Sequence, residues 1–257
     1  MSDPVPAVAE ADATGAVAAM FADIRAVTGV GVVNLIWRHL ATIPGGLEWA
    51  WGCVRPRYGD GGLADAADRL RAGLGVPDLG HLPLPDPAAG RILAAYDRTN
   101  ARALLALYGL LARLDGVGAA PMTPGMPRVE EALKLPPLPA LDSLAPETAA
   151  LILRLNHMGA GRPDPILASM YRHLAYWPDF LAAIEAPLGR CAVRPMIEAA
   201  LLAARDDGLA FAPLLADMPS LPAASVAAVR AALSRFAEDA LARMVVICAA
   251  IRAATKK

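Results

Sequence analysis

A short segment of this chain occurs twice. Residues 34–44 read NLIWRHLATIP, and residues 168–178 read ASMYRHLAYWP. Each copy has an aromatic residue, then Arg-His-Leu-Ala, then two residues and a proline. Other short matches follow in the same order: Val-Arg-Pro at 54–56 and 193–195, and Leu-Pro at 84–85 and 221–222. Self-similarity that keeps its order along a chain indicates a tandem duplication.

A fused duplication is expected to pack as a homodimer does, about a pseudo-twofold axis. The two Arg-His-Leu-Ala helices should then lie near one another, with a pocket between the halves. We predict a first helical repeat over residues 1–118, a Pro-rich linker over 119–146 and a second repeat over 147–257. The prolines of the linker predict a stiff strap between the halves.

The periodicity predicts an all-α fold, because no segment alternates with period two between turn signals. Asp86 is a candidate N-cap with Pro87 at the first helical position. The helix that it starts is expected to end near Asp97, and a second, strongly apolar helix to run from about Asn100 to Leu114. Two further helices are expected over residues 47–54, ending before Pro56, and over residues 237–253.

The composition limits the partners and the cofactors. Apolar residues make up 56% of the chain and the net charge is −1, which predicts a large core and argues against nucleic acid or an anionic membrane as partner. Residues 1–10 lack the features of a signal peptide, so we expect a cytoplasmic protein. Cys53, Cys191 and Cys248 have no metal-site or redox spacing, and no nucleotide motif is present, so we predict buried thiols, no cofactor and no metal.

The repeated segments also place two histidines and two arginines at matching positions. His39 and His173 allow an acid/base interpretation, or a structural one in which each ring bonds a carbonyl of the other half. Arg38 and Arg172 could hold a substrate carboxylate in bidentate fashion. Adjacent helical positions point about 100° apart, so Arg and His of one copy should not face the same pocket.

The chain resembles the group I 2-haloacid dehalogenase family. The resemblance is carried by Arg38 with the Ala-Thr-Ile-Pro-Gly that follows, by Asn100, by residues 168–178, and by Arg235-Phe236 with Asp239. It implies an all-helical, internally duplicated fold with the active site between the halves. Members that dehalogenate use an aspartate to activate the water that displaces halide from the carbon next to a carboxylate.

Carried over by position, the resemblance implies a changed site. The family's water-holding asparagine corresponds to Asn100, and the Ala-Ser that meets the substrate carboxylate corresponds to Ala168 and Ser169. The aspartate corresponds to Met170, whose thioether is no proton acceptor near neutral pH. Family positions that are aromatic are aliphatic here, at Val32, Leu35 and Leu233.

Three functions remain open at this point. The first is a small-molecule site that has lost hydrolytic dehalogenation and that binds or converts a short carboxylic acid or another small organic molecule. The second is an active dehalogenase with Asp164, in the loop before Met170, as the base. The third is a non-enzymatic helical protein that forms homo-oligomers or binds a partner.

Overall fold

The computed structural model describes residues 5–121, 125–128 and 132–256. Within these residues the chain is helical and has no strand, which confirms the predicted all-α class. The α-helices in chain order are α1 Gly15–Thr28, α2 Leu35–Leu40, α3 Gly46–Gly59, α4 Gly62–Gly73, α5 Pro87–Leu114, α6 Pro146–His157, α7 Ser169–Leu174, α8 Pro178–Gly189, α9 Val193–Phe211, α10 Ala223–Arg235 and α11 Ala242–Ala254.

Helix α5 is the centre of the fold. It begins as predicted, with the Asp86 carboxylate accepting from the Ala88 amide at 2.6 Å and Pro87 in the first turn. It then continues unbroken for 28 residues, so the predicted break between Asp97 and Asn100 is wrong. Asp97, at the predicted break, is held inside the fold by pairing with Arg71 of α4 and Arg252 of α11.

Helix α3 also runs farther than predicted, to Gly59, with Pro56 inside its last turns. Proline in a helix interior removes one backbone hydrogen bond. Trp51 and Tyr58, on either side of it, are both buried and their rings lie 5.3 Å apart. Burial of these two large rings accounts for the continued helix, because it outweighs the loss of one hydrogen bond.

The closing helix differs in its first turns. Residues 236–241 form a π-helical segment, Phe236–Leu241, before α11 begins at Ala242. The π-helix places about one extra residue in each turn, and such segments are frequent at functional sites. Single-sequence periodicity does not distinguish this turn from an ordinary α-helix, so the prediction of a helix over 237–253 missed it.

The two copies of the repeated segment form α2 and α7, each six residues long. The linker is hydrogen-bonded to residues of both predicted repeats. Leu133 exchanges backbone hydrogen bonds with Gly29 and Gly31, and the Pro139 carbonyl accepts from the Arg172 guanidinium at 2.8 Å. Parts of the linker, at 122–124 and 129–131, lie outside the described residues. The duplication, the segment boundaries and a pseudo-twofold arrangement stay predictions. Across the described ranges, we find no helix with the length and apolarity to cross a membrane.

Candidate functional site

A cavity of about 500 Å³ lies at the middle of α5, within the range that proteins use for small ligands. Its wall takes residues from all three predicted segments of the chain. The polar or charged side chains on the wall are Glu10, Thr28, Asn34, Arg38, Tyr58, Tyr96, Thr99, Asn100, Ser169 and Arg172. Much of the remaining wall is apolar, including Ile24, Trp37, Leu135, Leu167, Phe236 and Met244.

Most of the residues predicted for a site are brought together here. Those on the wall are Val32, Leu35, Arg38, Asn100, Ala168, Ser169 and Met170. Leu233 is fully buried but does not line the cavity. Phe236, Ala240 and Leu241 of the π-helical segment do, at a spacing that one wide turn brings to a common face. The wall therefore includes the aromatic ring of Phe236, which was not predicted from the sequence because the resemblance assigned this part of the site to Leu233.

Asp164 does not line the cavity. Its side chain is 59% exposed and pairs with Arg235, 3.0 Å from Nη2, and with Arg162 in the same loop. The structure therefore places this carboxylate on the surface, apart from Asn100 and Ser169. Asp164, in the loop between Pro163 and Pro165, faces solvent. A charged carboxylate is stable there because it is hydrated and lies near the guanidinium groups of Arg162 and Arg235.

Asn100 and Met170, two of the predicted site residues, both lie on the cavity wall. Asn100 is 4% exposed, and its Nδ2 has no hydrogen-bond partner among the described residues. A buried amide N–H without an acceptor costs free energy, so this group is suited to receive an oxygen of a ligand or water. Met170 is 1% exposed on the same cavity wall and offers a thioether, which cannot take up a proton there.

Buried polar groups fix the segment that leads to Ser169. The Asn156 side chain accepts from the Ala168 amide at 3.0 Å, and Asp239 accepts from the Ile166 amide at 2.7 Å. Arg243, with no exposed surface, donates to the Ile166 carbonyl at 3.0 Å. The Ala168 amide is thus already engaged within the protein, so of the Ala-Ser pair Ser169 is the better placed to meet a ligand.

The charged groups on the wall are predominantly positive. Glu10 accepts from Arg25 at 2.6 Å and from the Val33 amide at 2.9 Å, so both of its oxygens have partners. Arg38 donates through Nε to the Val8 carbonyl at 3.1 Å, and no carboxylate of the described residues lies within ion-pair distance of it. A guanidinium without a counter-charge at a cavity wall favours an anionic ligand.

Tyr96 and His173 form a buried pair that sequence reasoning missed. The Tyr96 hydroxyl lies 2.6 Å from His173 Nδ1, and His173 Nε2 lies 3.0 Å from the Pro136 carbonyl oxygen. Burial lowers the pKa of His173 to about 4, and the positive charge of Arg172 adds to that shift, whereas the bond to Pro136 opposes it. Tyr96 could have been predicted as a site residue once Asn100 was assigned to the site, because residues four apart share one helix face.

The two histidines do not occupy equivalent surroundings. His39 lies 2.6 Å from the Pro6 carbonyl, which belongs to its own half, and its ring stacks on Phe236 of the other half. The predicted bond to a carbonyl of the other half is therefore wrong for His39, and His173 reaches across the chain to Tyr96 and the linker instead. Neither histidine lines the cavity, whereas Arg38 and Arg172 both do. Among the described residues, no three His, Cys, Asp or Glu side chains lie together as metal ligands would.

The fold is similar to that of solved D-2-haloacid dehalogenases. A D-2-haloacid dehalogenase mutant in complex with D-2-CPA superposes with a TM-score of 0.78 at 17% identity, covering 98% of this chain and 96% of that chain. A D-2-haloacid dehalogenase in complex with L-LA gives 0.76 at 17% identity, covering 98% and 97%. At such identities the likeness shows the fold. No protein-family model matches this chain, and neither does any curated protein.

The buried His173 predicts a specific dependence of stability on pH. Its pKa of about 4 in the folded chain lies below the ordinary value of 6.5, so between these values the unfolded chain binds a proton that the folded chain does not. The free energy of unfolding should therefore fall as pH is lowered through this window. Between pH 7.5 and pH 5.0, His173 alone should account for a loss of about 2 kcal/mol.

Urea unfolding of the parent and of His173→Gln at both pH values measures this contribution. The variant should lose about 2 kcal/mol less than the parent over the same change. His157→Gln, which alters a surface histidine, is the matched control and should behave as the parent does. Equal pH dependence in the parent and His173→Gln would contradict a neutral, buried ring.

Proposed function

We propose that this protein binds a short carboxylic acid in the cavity beside α5 and does not hydrolyse 2-haloacids. The observation that carries the proposal is the buried Asn100 amide, which lacks a partner, on the same wall as the uncompensated Arg38. An amide donor and a guanidinium are complementary to a carboxylate, and the apolar remainder of the wall suits a short carbon chain.

The proposed loss of hydrolysis follows from the described residues on the cavity wall, which offer no free carboxylate to act as a general base. The wall carries Met170 where the resemblance implies an aspartate, and general-base catalysis is usually worth about 10²–10⁴-fold in rate. Glu10, the carboxylate on the wall, already has partners on both oxygens. The fold shared with D-2-haloacid dehalogenases supports a ligand of the same size and charge class as the substrate those enzymes are named for.

The charge of the ligand can be tested with propionate and propionamide, which have nearly the same shape. Calorimetric titration should give tighter binding of propionate by roughly tenfold or more, since a hydrogen bond to a charged group contributes about 1.5–3 kcal/mol. Arg38→Gln should bring the two affinities close together. Arg194→Gln, which removes an exposed arginine paired with Glu198, is the control and should keep the parent's preference. Equal binding of the two compounds by the parent, or binding of neither, would contradict the proposal.

The absence of hydrolysis can be tested by halide release from both enantiomers of 2-chloropropionate and 2-bromopropionate. The parent should release no halide, because it lacks a base beside Asn100. Met170→Asp should release it at a measurable rate, because the substitution supplies a carboxylate on the cavity wall. Turnover by the parent would overturn the proposal, and its loss in a folded Asp164→Asn variant would then establish Asp164 as the base.

A further inference from the structure

The pair of Tyr96 and His173 fixes the direction of the hydrogen bonds at one part of the cavity wall. A carbonyl oxygen only accepts, so the 3.0 Å contact with Pro136 requires a proton on His173 Nε2. The neutral ring then carries a lone pair on Nδ1, which accepts and cannot donate. The Tyr96 hydroxyl, 2.6 Å from Nδ1, is therefore the donor in that bond.

The Tyr96 oxygen is left with lone pairs only, because its one proton is directed to His173. Ser169 lies beside this oxygen on the cavity wall, and its hydroxyl acts to lower the pKa of the phenol, against the larger effect of burial. When the Ser169 hydroxyl donates to the Tyr96 oxygen, its own Oγ keeps lone pairs for the cavity. A ligand thus meets a hydrogen-bond acceptor here, whether it contacts Tyr96 or Ser169.

A donor lies one helical turn away. Asn100 follows Tyr96 by four positions on α5, so their side chains emerge on one face with about 5–6 Å between Cβ atoms. The Asn100 Nδ2 atom donates and has no partner among the described residues. One face of α5 therefore presents both an acceptor and a donor to the same cavity.

We propose that the cavity selects a short 2-hydroxycarboxylate, whose hydroxyl donates to the Tyr96 and Ser169 oxygens while its carboxylate accepts from Asn100 and Arg38. This inference rests on the proposed function, since it names the class of carboxylate. A halogen on the same carbon has no proton to donate and would face oxygen lone pairs instead. His173 is a positioning residue in this scheme, because it acts only through Tyr96.

The test is calorimetric titration with lactate, 2-chloropropionate and propionate, using both enantiomers of the first two. The parent should bind one enantiomer of lactate about fivefold to tenfold more tightly than either 2-chloropropionate, as one added hydrogen bond implies. Tyr96→Phe should bring that ratio close to one and leave the affinity for propionate within about twofold. Tyr108→Phe is the matched control, because Tyr108 is a buried tyrosine farther along α5 that does not line the cavity, and it should keep the parent's ratio.

His173→Leu tests the positioning role separately. The leucine side chain offers Tyr96 no acceptor, whereas a glutamine would offer its Oε1, so in His173→Leu the phenol proton becomes available to a ligand. The preference for lactate should then fall even though Tyr96 is present. A purely structural histidine would weaken all three ligands alike and leave their ratio unchanged, and that result would overturn the role of His173.

The outcomes separate this inference from the function on which it rests. Binding of propionate and 2-chloropropionate without a preference for lactate overturns the selection of a hydroxyl and leaves carboxylate binding standing. Retention of the lactate preference in folded Tyr96→Phe also overturns it. Failure of all three carboxylates to bind overturns the proposed function and this inference together.

Discussion

The burial of α5 is the constraint on which the rest of the structure depends. Its residues from Ala101 to Leu110 are all buried, so this stretch of the helix has no face for solvent. A helix that is apolar all round must be covered on every side, and α4, α9, α10 and α11 pack around it. Each polar side chain that α5 carries inside must then find a partner there.

Two buried polar residues of α5, Asp97 and Tyr96, meet that requirement within the protein, whereas Asn100 does not. Asp97 is paired with arginines from two neighbouring helices, and Tyr96 is bonded to His173. The amide of Asn100 has no such partner among the described residues, and it lies on the wall of the cavity. Asn100 thus combines a buried donor that lacks a partner with a place on the cavity wall, and this combination marks the part of the interior that is suited to a ligand.

The local features of the fold could be predicted from the sequence, whereas those that depend on distant partners could not. The Asp86 cap and the all-helical class depend on residues close in sequence. The continuity of α5 through Asp97 depends on Arg71 and Arg252, which no local pattern connects with it. The place of Glu10 on the cavity wall likewise depends on Arg25 and the Val33 amide.

The residues of the candidate site likewise divide into those that could be predicted from the sequence and those that could not. The repeated segments and the resemblance predicted Arg38, Asn100 and Ser169, and the structure places all three on one cavity wall. Leu233 is buried away from the wall, and an aromatic ring there comes from Phe236, the first residue of a π-helical segment that periodicity does not reveal. Tyr96 can act as an acceptor because His173 carries its proton on Nε2, and that tautomer is set by the Pro136 carbonyl of the linker.

The chemistry of the wall differs from what hydrolysis of a 2-haloacid needs. The resemblance implies an asparagine and an aspartate that hold a water, and at the position that it assigns to the aspartate the wall carries the thioether of Met170. The groups that remain are donors for a carboxylate and an acceptor pair at Tyr96 and Ser169. These groups support the proposal that the cavity binds a small carboxylic acid.

The central claim is that a carboxylate bonds to the Asn100 amide, and NMR can observe that amide directly. The chain contains three asparagines, Asn34, Asn100 and Asn156, and no glutamine, so only three pairs of side-chain NH₂ signals occur in a ¹⁵N spectrum. Saturation with propionate should shift the Asn100 pair, assigned from its loss in Asn100→Asp, and leave the Asn156 pair in place, because Asn156 is bonded within the protein away from the cavity. An Asn100 pair that does not move at saturating propionate would contradict the account.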